Sequence, residues 1–172
     1  MNLNPKIADL LGLQMSNLKI LLRNRLREQG HVNSGDGLRS IDSAVKVTGQ
    51  IIEGVIYMND YLVNVDRGVK AERIPFTSGQ RRSNTSKYIQ GLIKFFRLKG
   101  NSIKMSTSLA FATAKTHEKT GSPTNASKRF SRNGKRTGFL TGVIDEVLRK
   151  ILITQEIEVF QLFEQEISIS IN

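Results

Sequence analysis

Leucines set the first rhythm of the chain. Leu10, Leu11 and Leu13 follow Asn4-Pro5, which starts a helix well: Asn caps and Pro takes the first helical position. Gly12 predicts a weakening or bend there. Ser16 re-caps a second run, in which Leu18, Leu21, Leu22, Arg25 and Leu26 trace one face up to Gly30, a natural residue to follow a helix end. Residues 1–30 therefore read as N-terminal helices. His31 to Gly37 is a loop, and the period then shortens to two. Val45 and Val47 alternate with Lys46 and Thr48, Gly49-Gln50 turns the chain, and Ile51 to Met58 is rich in β-branched residues. A β-hairpin is the prediction within residues 38–66. Tyr61 and Val65, four apart, suit a short helix as well as a strand.

Residues 67–86 show little periodicity and hold Arg73, Pro75, Gly79, Arg81, Arg82, Ser83 and Ser86. A connection this long inside a small domain is usually functional or disordered. A helical period returns at Lys87, with Tyr88, Leu92, Phe95 and Phe96 inward and Lys94, Arg97 and Lys99 outward, closing at Gly100. A second helix runs from about Ser106 through Leu109, Ala110, Ala112 and Thr113 to Gly121, with Pro123 as a stop. A basic loop spans 125–138. Phe139, Leu140, Val143, Ile144, Val147, Leu148 and Ile151 then predict a helix, so that 87–152 is a helical region. In the acidic extension 153–172, Ile157, Val159, Phe163, Ile167, Ile169 and Ile171 alternate as strands do, while Ile153, Ile157, Phe160 and Ile167 also fit a helical face. The Ile-Ser-Ile-Ser ending favours strand. The expectation is an α+β single domain over 1–172: a small antiparallel sheet, N-terminal helices, three helices packed on one face, and long mobile loops.

Charge adds a division that hydropathy does not show. Seventeen of the 26 Lys and Arg residues lie between Arg67 and Arg136, where Glu72 and Glu118 are the only acids. Residues 1–66 balance seven basic against seven acidic residues, and 137–172 hold two basic and six acidic. A surface made soluble by interspersed ion pairs would mix the signs. A uniform sign creates self-repulsion that a polyanion or an acidic neighbour offsets.

The sequence offers little catalytic chemistry. It has no cysteine, which excludes disulfides and thiolate metal sites. His31 and His117 lack carboxylate or hydroxyl partners at a diagnostic spacing, and His117 reads as a surface residue near a helix end. No metal-spaced motif is visible, and the expectation is a non-enzyme without cofactor or metal. A nuclease would need converging carboxylates, for which Asp36, Asp60 and Asp66 are the residues on offer. No apolar run approaches the roughly 18 residues of a membrane span. The N-terminus does not read as a secretory signal, so expression in a cytoplasm is expected. Strand-stacking aromatics are scarce near the basic loop, where Phe130 stands alone. Contact with nucleic acid would therefore be to the backbone and blind to sequence.

Several segments together resemble the small head–tail connector and tail-completion proteins in the necks of tailed bacteriophages. The hairpin of Ser43 to Met58 is followed by Tyr61-Leu-Val-Asn-Val-Asp-Arg-Gly68, then by Pro75, then by Tyr88-Ile-Gln-Gly-Leu-Ile-Lys-Phe-Phe-Arg-Leu-Lys-Gly100. Leu109-Ala-Phe-Ala-Thr-Ala-Lys-Thr-His-Glu-Lys-Thr-Gly121, with Pro123, Thr124 and Phe130 beyond it, is similar to the helix that follows in those proteins. A Phe-Phe pair stands where they usually carry Trp. The resemblance implies a non-enzymatic virion protein that forms a homo-oligomeric ring in the neck. It implies contacts with the portal or an adjacent neck protein, with tail proteins and with passing DNA, after assembly in the host cytoplasm. Arg81, Arg82, Lys128, Arg129, Arg132, Lys135 and Arg136 are the candidates for facing DNA or portal. Tyr61, Asp66, Glu156, Glu158, Glu164 and Glu166 are the candidates for contact between subunits. A free DNA-binding accessory protein, monomeric or dimeric, is the alternative.

Overall fold

A 25-residue helix, α1 (Asn4–Glu28), is the backbone of the architecture. The computed structural model describes residues 4–49, 51–79, 86–146 and 149. Two helices were expected before Gly30, and one continuous helix is found: Ser16 lies mid-helix, and Gly12 continues the spiral beneath Val45 of the hairpin. Packing on the hairpin offsets the roughly 1 kcal/mol that glycine costs a helix interior. Leu18, Leu22 and Leu26, four apart, form the buried stripe, whereas Leu21 is exposed. At the end, Gly30 adopts a left-handed conformation; its N–H bonds to Arg27 O and that of His31 to Leu26 O, a paired closure of the last turn.

A short helix, α2 (Asp36–Ser40), leads into β1 (Asp42–Thr48), which pairs antiparallel with β2 (Ile51–Tyr57) as the expected hairpin, with Thr48 opposite Ile51. The face bearing Val45, Ile52 and Ile56 turns to α1, and Gly54 leaves room there for Met15. Helix α3 (Tyr61–Arg67) resolves the Tyr61–Val65 spacing as helical and buries Leu62. Leu18, Leu22, Leu26, Ile41, Leu62, Phe139 and Val143 form the main core. Residues 141–146 are helical, so the C-terminal helix begins later than Phe139, which is a core residue ahead of it.

Helices α4 (Lys87–Leu98) and α5 (Ile103–Thr120) form a helical hairpin with a second core, in which Ile74, Phe76, Ile89 and Ala114 are buried. Ser86 and Ser102 cap them by accepting the N–H of Ile89 and of Met105. The class is α+β, with a two-stranded sheet. Its helices divide between two clusters: α1 covers the sheet, while α4 and α5 pack on each other and on the segment after α3.

That segment is the clearest departure from expectation. Gly68 to Gly79 was read as part of a long mobile loop, yet Val69 exchanges two backbone hydrogen bonds with Ser122, at 2.6 and 2.8 Å. A short 3₁₀ turn, Ala71–Arg73, follows, and Ile74 and Phe76 enter the second core. Two apolar residues without a period gave no pattern to read, but each covers enough surface to anchor a loop.

Candidate functional site

The basic loop expected over 125–138 begins as a 3₁₀ helix, Asn125–Phe130, and wraps around the end of α1. The N–H of Arg132 donates to Glu28 O at 2.7 Å, and Gln29, fully buried, donates through Nε2 to Thr137 O at 2.9 Å. His31 Nε2 donates to Arg136 O at 2.9 Å, and the Arg136 guanidinium donates to Gln29 O at 2.7 Å. Gly30 must be a glycine here, since a Cβ would collide with Phe130 O and press on Arg136. The open carbonyls of a helix end are thus occupied by a loop more than a hundred residues away in sequence.

Arg136 is placed differently from the other cations of this loop. Expected to face DNA or portal, it is half-buried and holds the C-terminus of α1. Burial lowers its pKa, and its Nε is one of the buried atoms without a hydrogen-bond partner. The other four loop cations are presented outward. Lys128, Arg129, Arg132 and Lys135 are all exposed, with Phe130 63% exposed among them and the Arg129 guanidinium 4.8 Å above its ring. The ion pairs among the described residues are Lys19–Asp42, Arg25–Glu28, Arg25–Glu146 and Arg39–Asp36, and none includes a cation of the belt from Arg67 to Arg136. Arg81 and Arg82 lie outside the described residues.

His31 belongs to the same junction. Desolvation first, and the neighbouring Arg136 charge second, push its pKa down to about 4, so the ring is neutral at pH 7. That agrees with the single proton it donates through Nε2.

Asp66 is one of the candidates for contact between subunits. It is buried, and its Oδ1 accepts the N–H groups of Leu140 and Thr141 at 2.7 and 3.2 Å. A carboxylate at the start of a helix satisfies open N–H groups and suits the helix dipole. It is committed inside the fold. Tyr61 is 48% exposed, with its hydroxyl against Gly37; burial and the Asp36 charge raise its pKa. Glu156, Glu158, Glu164 and Glu166 lie outside the described residues.

His117, read as a surface residue, is half-buried in a cavity of about 410 Å³ lined in part by Arg73, Ile74, Tyr88 and Leu92. Tyr88 Oη and His117 Nδ1 share a hydrogen bond of 2.6 Å. Burial raises Tyr88 to about 12 and lowers His117, so both partners are neutral at pH 7. The spacing of 29 residues hid this pair. Asp36 and Asp60 are exposed and do not join Asp66: among the described residues, no group of three His, Asp or Glu is placed to hold a metal. No described helix is long and apolar enough to cross a membrane.

What the site offers is an exposed cationic ridge, hydrogen-bonded through its backbone to the end of α1, that can meet phosphates or carboxylates by charge alone. Comparison of the chain with family models, with curated proteins and with solved structures returns no match.

Proposed function

We propose that the chain is a structural subunit of a tailed-bacteriophage neck, forming a ring that joins head or portal to tail around the DNA channel. The observation that carries this reading is the ridge of Lys128, Arg129, Arg132 and Lys135, which is exposed, without an ion pair among the described residues, and pinned to the end of α1. Pinning matters because an ordered charge array retains its geometry on docking, whereas a floating tail pays ordering entropy each time. Exposed apolar residues support the same reading. Val47 and Ile51 on the hairpin, and Leu98, Ile103 and Met105 on the α4–α5 pair, are each more than half exposed, as on a subunit that buries surface during assembly.

Imaging the protein mixed with its portal tests this. An added ring below the portal is the expected result. If the protein stays free of portal and tail particles and instead binds duplex DNA tightly, with affinity falling steeply as salt rises, the neck reading is overturned in favour of a free DNA-binding protein.

A further inference from the structure

The turn end of the α4–α5 hairpin carries exposed apolar residues among exposed cations. Phe95, Leu98, Ile103 and Met105 are 40%, 53%, 65% and 52% exposed. Lys94, Arg97, Lys99 and Lys104 stand around them, all exposed, with Lys99 Nζ 5.7 Å above the Phe95 ring. An open cleft of about 460 Å³ runs along α4 between Ile93, Lys94, Arg97 and Leu98. Glu118 is the only acid from Lys87 to Thr120. It sits at the far end of α5, engaged by the N–H and hydroxyl of Ser78 at 3.0 and 2.5 Å. Single exposed apolar residues are ordinary; Phe95 and Leu98, three apart on α4 among Lys94, Arg97 and Lys99, lie side by side under one sign of charge and mark a docking surface.

The same chain holds a segment of complementary composition. Residues 153–172 contain Glu156, Glu158, Glu164 and Glu166 and no Lys or Arg, interleaved with Ile157, Phe160, Phe163 and Ile167. Apolar with negative matches apolar with positive. The origin of the segment also matters. Glu146 pairs with Arg25 of α1 at 3.0 Å, so the chain leaves from the side of the main core, while the patch belongs to the second cluster.

We infer that the acidic, apolar C-terminal segment of one copy docks on the α4–α5 tip of a neighbouring copy, its glutamates facing Lys94, Arg97, Lys99 and Lys104 and its apolar side chains covering Leu98 and Ile103. Two unlike patches joined head-to-tail generate a ring when the rotation closes. The inference rests on the neck-ring reading and names the surface that joins its subunits.

Because the chain has no cysteine, disulfide trapping tests the contact directly. Full-length Leu98→Cys and Phe163→Cys chains are mixed under mild oxidation and resolved on non-reducing gels. The expected result is a mixed dimer at least severalfold above the background from Val47→Cys paired with Phe163→Cys. Adding Lys94→Glu and Arg97→Glu to the first chain lowers trapping severalfold, and adding Glu164→Lys and Glu166→Lys to the second restores it. Trapping no better than the Val47→Cys background, or unmoved by charge reversal, overturns the contact. So does a purely intramolecular bond in the chain carrying both cysteines. A ring on the portal without trapping leaves the neck reading standing and removes this contact, while trapping without a portal ring does the reverse.

Discussion

The carboxylate of Asp66 accepts the backbone N–H of Leu140 at 2.7 Å, joining the last turn of α3 to the start of the C-terminal helix 74 residues later. Thr141 N–H reaches the same oxygen, and Asp66 O accepts from Gly138 N at 2.8 Å. One residue thus fixes where Phe139 and Val143 enter the main core.

Replacing Asp66 with Ala should lower stability by about 1–3 kcal/mol, the range for a lost cap that leaves buried N–H groups unpaired. Asp66→Asn, which retains an acceptor oxygen, should lose clearly less. Urea unfolding of the two variants decides it; equal losses would show that the acceptor is not what matters.

Stability should fall on mild acidification, through His31. Its folded pKa of about 4 lies below its ordinary 6.5. The unfolded chain therefore binds the proton first, and stability present above pH 6.5 is lost as pH falls from 6.5 toward 4. Discounted for solvent screening at a half-buried site, the loss attributable to His31 is about 1–2 kcal/mol. Thermal unfolding at pH 7.5 and 5 should show a drop in the wild type that shrinks in His31→Gln, which keeps a donor for Arg136 O. A drop of the same size in the variant would assign the effect elsewhere.

The loop cations should separate by role. Lys128→Ala, Arg129→Ala, Arg132→Ala and Lys135→Ala together should leave stability within about 0.5 kcal/mol, as surface changes do, while abolishing incorporation into a portal–neck particle. Arg136→Ala should behave oppositely, lowering stability by about 1–3 kcal/mol through the open Gln29 carbonyl. Melting curves and particle assembly, measured on both variants, provide the two readouts.

Gly121 should not tolerate a side chain. Its φ of 75° and ψ of −171° are close to exclusive to glycine, and a Cβ would lie 2.5 Å from Val69 O. Gly121→Ala should cost about 1–3 kcal/mol and loosen the Val69–Ser122 pairing. Faster amide exchange at Val69 and Ser122 is the measurement; unchanged exchange would contradict it.

What the sequence made legible was local. Gly30, Gly49, Gly100 and Gly121 end or turn elements where expected, because each reports a nearby backbone need. The alternation around Val45 and the α4 helix were read for the same reason. What stayed hidden is long-range. Asp66 with Leu140, Gln29 with Thr137 and Tyr88 with His117 join residues that no local period relates. Phe95 was expected inward, yet Ile89 and Leu92 supply the buried line of α4, with Phe95 left at its edge. Charge counting found the basic belt but could not tell that Arg136 turns inward while Lys135 does not.

α1 also sets a distance. The hairpin rests near Gly12 and Met15, and the cationic ridge is bolted to Glu28 and Gln29. At 1.5 Å per residue these stations are about 20 Å apart along a stiff rod. A tilt imposed on the helix at one station must therefore swing the other through a proportionate arc.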